Sequence, residues 1–363
     1  ARNRFWNIDL PAVTTMIHLK RLLIFSLLVL ASTTITADTD FNTTLGELDA
    51  YLIRTAMQLG NSPFAAVASK DGKIIYELYY DGQGALDKPV NEDSRWQVYS
   101  ITKSFTSALV LGLCEDGTLS LDDPVSKFLP AFREHGDGEY DRQDVTIRHL
   151  MSHTSGAAVD GNKTPGPLPS DLDTIEIITR PGKAFKYSGL GMLILERALE
   201  AATGKDFDAL LHERVIDPLR LESTGYVYDG QETERVMPIK KGAYHYSQDG
   251  KRAGAGLFTT ARDLNRFGQL WLDPESMFSE KLRAQAWKFH GMRDSDQGRY
   301  GLLWWLFESD GGYVMSGKDN KINAVVPETG VVITVIRYPQ AKPAEGYKFS
   351  DDKRAMVLFG NRL

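Results

Sequence analysis

Trp96-Gln-Val-Tyr-Ser100-Ile-Thr-Lys103-Ser-Phe-Thr-Ser-Ala-Leu-Val-Leu-Gly-Leu113 is the stretch on which the reading of this chain turns. From Ser100 onward it has helical periodicity: Phe105, Leu109 and Leu113 recur at the spacing of one helix face, and only Gly112 interrupts before Gly117. Residues three apart on a helix share a face, so Ser100 and Lys103 point the same way. A neutral lysine amine beside a serine hydroxyl can take its proton, and a serine without a base is a poor nucleophile. The start of the helix adds unpaired N–H groups and a positive dipole end, where a developing oxyanion is stabilised. The same tetrad recurs at Ser350-Asp-Asp-Lys353, in a charged stretch just before the expected C-terminal helix, and is read there as chance.

The text around the first tetrad sets it apart from the second. Gly117-Thr-Leu-Ser-Leu-Asp-Asp-Pro124 and its continuation to Pro130, Val145-Thr-Ile-Arg-His-Leu-Met-Ser-His-Thr-Ser-Gly156, Tyr187-Ser-Gly189 followed by an apolar helix and Gly204-Lys205, and the run from Gly254 to Gly268 follow in order. Together with Ser100-x-x-Lys103 these blocks resemble the serine β-lactamase-like family: class C β-lactamases, D,D-peptidases, family VIII esterases and 6-aminohexanoate-dimer hydrolases. The resemblance spans roughly residues 45–363.

It implies a role for each matched position. Ser100 is the nucleophile and Lys103 its base or proton relay. Tyr187 faces both, as general base and then as acid toward the leaving group. The backbone N–H groups of Ser100 and Lys318 form the oxyanion hole. Ser188, Gly189, Met315, Ser316 and Gly317 line the substrate. Two positions depart from the family pattern. Many relatives carry asparagine where this chain has Gly189, an amide that holds the lysine and binds a substrate carbonyl. The third motif begins with Lys, His or Trp in relatives and with Met315 here, which leaves a β-lactam carboxylate without its usual partner. Lys318 and Lys321 are candidate replacements, both expected to face solvent.

Strands are expected at both ends of the chain. Phe64-Ala-Ala-Val-Ala-Ser69 and Lys73-Ile-Ile-Tyr-Glu-Leu-Tyr-Tyr80 flank Asp71-Gly72, a hairpin turn signal. Further strands are expected at Leu303–Phe307, Tyr313–Ser316, Lys321–Val326 and Gly330–Tyr338, with Ala355–Phe359 opening a last helix. The spacing of Leu45, Leu48, Leu52 and Met57 predicts a helix over Thr43–Leu59. Strands at both ends around a mainly helical middle point to one antiparallel sheet built from both termini. That is the fold the resemblance implies: an α+β, β-lactamase/transpeptidase-like architecture with an inserted helical subdomain. The expected domain is 42–363, with an α/β part at 42–98 and 268–363 and a helical part at 99–267.

The first residues are read differently. Met16 is followed by His18, Lys20, Arg21 and the apolar run Leu22–Ala31, which is the pattern of a signal peptide over residues 16–37, with Ala37–Asp38 as the preferred cleavage point. Residues 1–15 precede a plausible initiator and are read as an upstream extension. Export to the periplasm or medium is therefore expected. Cys114 is the only cysteine, so no internal disulfide is possible, and it is read as a small buried hydrophobe.

A net charge of −6 over 363 residues argues against nucleic acid or an anionic membrane as partner. No Gly-x-Ser-x-Gly elbow or Gly-x-Gly-x-x-Gly turn occurs at a strand end, and no cofactor is expected. His149 and His153, four apart, are weighed as metal ligands and set aside because no further acid or histidine completes a set. Trp271, Trp304 and Trp305 are read as core. The expected activity is hydrolysis of esters or small linear amides through an acyl-enzyme, with no cofactor or metal. A β-lactamase or D,D-peptidase, and a binding or sensor protein whose catalysis has decayed, stay open as alternatives.

Overall fold

A computed structural model of the chain describes residues 35–133, 139–158, 172–227, 234–238, 252–290, 299–338, 341, 343 and 345–363. The expected upstream extension and almost all of the expected signal peptide lie outside these residues.

Helix α1 (Ile35–Gln58) begins earlier than its apolar pattern predicts. It leads into the hairpin β1 (Phe64–Lys70) and β2 (Lys73–Tyr80). Asp71 and Gly72 turn the hairpin with φ of 49° and 76°, the two left-handed residues that a two-residue turn requires. A short strand, β3 (Trp96–Gln97), precedes the nucleophile segment and α2 (Thr102–Glu115). The middle of the chain then supplies α3 (Ile147–Met151), β4 (Ala157–Ala158), β5 (Glu176–Ile177), α4 (Gly189–Thr203) and α5 (Phe207–Leu211). After β6 (Phe258–Thr259) come α6 (Ala261–Leu270) and α7 (Glu280–Ala286). The chain closes with β7 (Arg299–Tyr300), β8 (Trp305–Phe307), β9 (Gly312–Gly317), β10 (Lys321–Val326), β11 (Val331–Arg337) and α8 (Phe349–Gly360).

The main sheet has seven strands in the order β2-β1-β11-β10-β9-β8-β7. The N-terminal hairpin joins the C-terminal meander where β1 pairs antiparallel with β11, Phe64 opposite Arg337. Residues alternate between the two faces, as the two-residue strand period demands. Ala65, Val67, Val332 and Ile336 enter a core shared with α2, α4 and α6. Phe64, Ala66, Ala68, Val331, Ile333 and Val335 enter a second core under α1 and α8. The residues from Phe41 to Leu363 make up one compact unit.

Helix α6 is bonded to the sheet. Asn265 is buried and donates to the carbonyls of Val67 (3.1 Å) and Val332 (3.0 Å). Gly268 lets the helix come close, since a Cβ there would sit 2.5 Å from Val332 Cγ1. The α/β layer therefore resumes at Ala261, a little before the point expected from the pattern.

Other elements also differ from expectation. Helix α8 starts at Phe349, six residues before Ala355, because the charged stretch forms its first turn; Asp351 and Asp352 there complement the N-terminal dipole. Strand β8 is shorter than expected, since Leu303 has a φ of 66° and cannot continue a strand. The middle contains the two-stranded ladders β3–β6 and β4–β5 among its helices. Cys114 is half-buried and unbridged, with burial pushing its thiol up to about 12. Trp271 and Trp304 are fully buried, as expected.

Candidate active site

Ser100, the candidate nucleophile, is carried by a strained turn. Val98 N–H bonds to Leu257 O at 2.9 Å, at the end of the β3–β6 ladder. Tyr99 then takes a φ of 48°, and Tyr99–Ile101 form one turn of 3₁₀ helix leading into α2. A tyrosine in left-handed backbone is costly and persists only where its surroundings over-determine it. The result is a half-buried Ser100 whose following helix runs through the core.

Helix α2 is buried all round, so its hydroxyls act as clamps on other segments rather than as a solvent face. Ser107 donates to Leu302 O at 2.8 Å, and Ser104 to Leu303 O at 3.2 Å. Thr106 donates to Ala253 O at 2.7 Å, and Thr102 accepts from Leu257 N at 3.2 Å. Phe105 stacks on Phe267 with ring centroids 3.7 Å apart.

Lys103 is 5% exposed. Its Nζ donates to Ser100 Oγ at 3.3 Å and to Gly254 O at 2.6 Å. The Gly254 carbonyl supplies an anchor for the lysine where the sequence reading looked for an asparagine amide. It sits on the turn Arg252–Gly254, which is braced from behind. Arg252 pairs with Glu200 at 2.8 Å, Asp206 at 2.7 Å and Glu196 at 3.3 Å. Glu196 also accepts from Ala253 N at 2.8 Å. Glu196 is fully buried, and desolvation raises its carboxyl against the lowering effect of the Ala253 amide and Arg252.

Tyr187 stands at the mouth of the site, 42% exposed. Lys103 Nζ lies 4.8 Å from its ring centroid, so lysine and tyrosine meet through the ring face. Among the described residues the Tyr187 hydroxyl has no hydrogen bond to Ser100 or Lys103. Such bonds are often absent from an unliganded site and form with substrate. The Tyr187 ring packs on His153 at 4.4 Å and edge-on to Tyr300 at 6.2 Å. Tyr300 is buried, and desolvation followed by the neighbouring Tyr187 holds its hydroxyl well above the usual phenol range.

The third wall is the end of β9. Ser316 and Gly317 are half-buried. Gly317 admits no side chain, because a Cβ would lie 2.2 Å from Val98 O. That contact brings the end of β9, and the Lys318 backbone after it, against the turn carrying Ser100. Beyond it, Asp319 and Asn320 have φ of 61° and 58°, and buried Asn320 is held by Tyr347 (2.9 Å) and Asp352.

Several expected roles change on this geometry. Met315 is fully buried in the inner core, so its side chain does not line the site. Ser188 Oγ accepts from Gly191 N at 2.9 Å as the N-cap of α4, which commits it to the helix rather than to a substrate. Lys321 does not face solvent: it is 3% exposed and donates to Arg337 O at 2.8 Å. Lys318 is exposed, with its ammonium 5.8 Å from the Tyr99 ring centroid. Gly189 faces open space, with nothing within 4 Å of where a Cβ would be. His149 and His153 are not a ligand pair, since His149 Nδ1 accepts from Thr146 N while His153 Nδ1 accepts from Ser188 N. Among the described residues no group of three or more His, Cys, Asp and Glu is placed to hold a metal.

The sequence reading missed Gly254, Glu196, Tyr300 and the role of His153. Gly254 stood inside a matched block, but a backbone acceptor has no residue-type signature. A pocket of about 1170 Å³ lies elsewhere, lined by Lys70, Gln269, Trp271, Arg283, Trp287 and Gly330 among others. It contains none of the groups above.

A serine opening a core helix, a lysine one turn on, and a seven-stranded antiparallel sheet with helices on both faces define the β-lactamase/transpeptidase-like fold. The chain belongs to the Beta-lactamase family, whose model matches residues 52–342. It is 27% identical over 281 residues to Beta-lactamase-like protein 2 of Dictyostelium discoideum, covering 69% of this chain and 50% of that protein. It is 32% identical over 187 residues to Esterase EstB of Burkholderia gladioli, covering 45% of this chain and 46% of the esterase. The chain thus spans about half the length of these curated relatives. In fold it is similar to a beta-lactamase/D-alanine carboxypeptidase from Yersinia pestis, with a TM-score of 0.69 at 23% identity over 88% of this chain and 99% of that one.

Proposed function

We propose that the protein is a serine hydrolase that forms an acyl-enzyme on Ser100, with esters as its better substrates and small linear amides after them. The observation that carries this reading is the position of Lys103 Nζ, 3.3 Å from Ser100 Oγ and anchored at 2.6 Å by the Gly254 carbonyl. A neutral amine that spends one N–H on Gly254 O can turn its lone pair toward the serine hydroxyl. Lys103 takes the serine proton as Oγ attacks the substrate carbonyl carbon. The new oxyanion is met by the N–H groups of Ser100 and Lys318. Proton transfer from Lys103 through Tyr187 to the leaving oxygen or nitrogen lets the carbonyl–leaving-group bond break. Water, deprotonated by the same pair, then releases the acid and frees Ser100.

An esterase among the relatives supports the ester reading. So do the buried Met315 and the internally bonded Lys321, which leave Lys318 as the ammonium near the site for a β-lactam carboxylate. The intact Ser100–Lys103–Gly254 geometry weighs against a catalytically decayed binding protein.

A fluorophosphonate probe tests the reading. One phosphonyl group is expected on Ser100 by peptide mapping, with labelling lost in Ser100→Ala and strongly slowed in Lys103→Ala. An adduct on Ser188 or Ser316, or none at all in the folded protein, would overturn it.

A further inference from the structure

The two peptide N–H groups that flank Tyr187 both end on one residue. Lys186 N donates to the His153 carbonyl at 2.8 Å, and Ser188 N donates to His153 Nδ1 at 3.3 Å. Between these two anchors the Tyr187 ring lies on the imidazole, with centroids 4.4 Å apart. Phe185 at 6.0 Å and Tyr300 at 5.3 Å also pack on the imidazole. His153 itself is 2% exposed and has a φ of 54°, a backbone conformation that costs a non-glycine residue energy.

The chemistry of the ring is constrained. A nitrogen that accepts from an amide carries no proton, so the neutral ring has its hydrogen on Nε2. Among the described residues that buried Nε2 has no hydrogen-bond partner, an arrangement that is costly in a protein interior. A hydrocarbon side chain would fill the same space without an orphaned donor. What it would lack is the acceptor for Ser188 N–H. Burial keeps the imidazole neutral, its titration held well below the usual histidine range, so the acceptor persists at ordinary pH.

We propose that His153 is a positioning residue for Tyr187, holding the phenol over Lys103 by binding the amides on both sides of it. This rests on the reading of Tyr187 as the proton donor to the leaving group. The two claims separate experimentally because leaving groups differ in their need for a proton. Methoxide leaves an acyl-enzyme tetrahedral intermediate poorly without one, and p-nitrophenolate leaves without help.

The experiment compares kcat/KM for methyl butyrate, followed by pH-stat, with kcat/KM for p-nitrophenyl butyrate, because both esters share one butyryl-enzyme and kcat/KM reports only the steps up to its formation. It uses wild type, Tyr187→Phe, His153→Leu, His153→Asn and the double variant Tyr187→Phe/His153→Leu. In His153→Leu the methyl-to-nitrophenyl ratio of kcat/KM is expected to fall about tenfold. His153→Asn is expected to restore the ratio to within about threefold of wild type, because its amide oxygen sits near the place of Nδ1 and asparagine tolerates left-handed backbone. The double variant is expected to match Tyr187→Phe alone. Should His153→Leu not fold, His153→Gln carries the comparison: its amide reaches the Nε2 end instead and is expected to lower the ratio. A ratio unchanged in Tyr187→Phe would overturn the tyrosine reading and this inference with it. A ratio that falls in Tyr187→Phe but not in His153→Leu or His153→Gln, or that His153→Asn fails to restore, would overturn the role of His153 alone.

Discussion

The position of one lysine nitrogen decides the chemistry at residue scale. Lys103 Nζ is held between Ser100 Oγ, Gly254 O and the face of Tyr187. A carbonyl acceptor holds the amine but offers nothing to the substrate, whereas a side-chain amide can do both. Gly189 is where that difference can be tested. A Cβ there meets nothing within 4 Å, and the residue is the first of α4. Gly189→Asn is therefore expected to fold with a melting temperature unchanged or slightly raised, since glycine is a poor helix residue. One added hydrogen bond of about 0.5–1.5 kcal/mol to a substrate carbonyl or to Lys103 is worth roughly a threefold to tenfold gain. The gain is expected in kcat/KM for a linear amide relative to p-nitrophenyl butyrate, because amide cleavage leans harder on the lysine–tyrosine unit. An unchanged amide-to-ester ratio would show that the Gly254 carbonyl already does all that the amide would do.

Two elements meet edge to backbone at the candidate site, and the proposed oxyanion hole depends on their fit. The end of β9 touches the turn before α2 at Gly317, where any Cβ would be 2.2 Å from Val98 O. Val98 is in turn tied to Leu257, and Tyr99 already holds a φ of 48°, so this turn has little freedom to move away. Gly317→Ala is expected to cost about 1–3 kcal/mol as an overpacked contact, seen as a melting temperature lowered by roughly 2–10 °C. It should also lower kcat by more than about tenfold while fluorophosphonate still labels Ser100 slowly, because the Lys318 N–H is displaced while the nucleophile and its base remain. Full activity in a folded Gly317→Ala protein would remove the Lys318 amide from the mechanism. The β2 edge of the sheet carries no such demand: Gly72 in the β1–β2 turn has nothing within 4 Å of its Cβ position.

Across the whole molecule, the sheet distributes its cations so that few reach the site. Lys321 gives its ammonium to Arg337 O inside the fold, and Arg337 is buried 3.8 Å from Asp352. Met315 turns into the core instead of toward the substrate. On the proposed reading, a β-lactam carboxylate has Lys318 as its partner among the described residues, and a solvated ammonium is a weak one. Loss of one charge-assisted hydrogen bond of about 1.5–3 kcal/mol corresponds to about one to two decades in kcat/KM. Measured kcat/KM is expected to run p-nitrophenyl butyrate first, a linear amide such as a 6-aminohexanoate dimer second and nitrocefin last, with Lys318→Ala lowering the nitrocefin value further. Nitrocefin equal to or above the ester would reverse the substrate order.

The elements and the placing of Ser100 one turn before Lys103 were legible in the sequence because their causes are local. Short apolar runs wrote the strands of the sheet, Asp71-Gly72 wrote the hairpin turn, and a period near four wrote α2 with Ser100 and Lys103 one turn apart. The same local signal was present at Ser350 and Lys353, and packing made that pair something else. They lie in the first turn of α8, against the outer core, where burial pushes the Lys353 amine down to about 8 and its Nζ sits 4.6 Å from the Trp305 ring centroid. What only the tertiary structure decided are contacts between residues far apart in the chain. Gly254 stands 151 residues from the lysine it anchors, and His153 stands 35 from the amide it accepts. Met315 and Lys321 were turned inward by the pairing of β9 and β10 and by the core beneath them, an orientation that residue type alone does not encode. A repeating pattern fixes which residues share a face, but the partner of a backbone carbonyl or a buried imidazole is set only when distant segments pack.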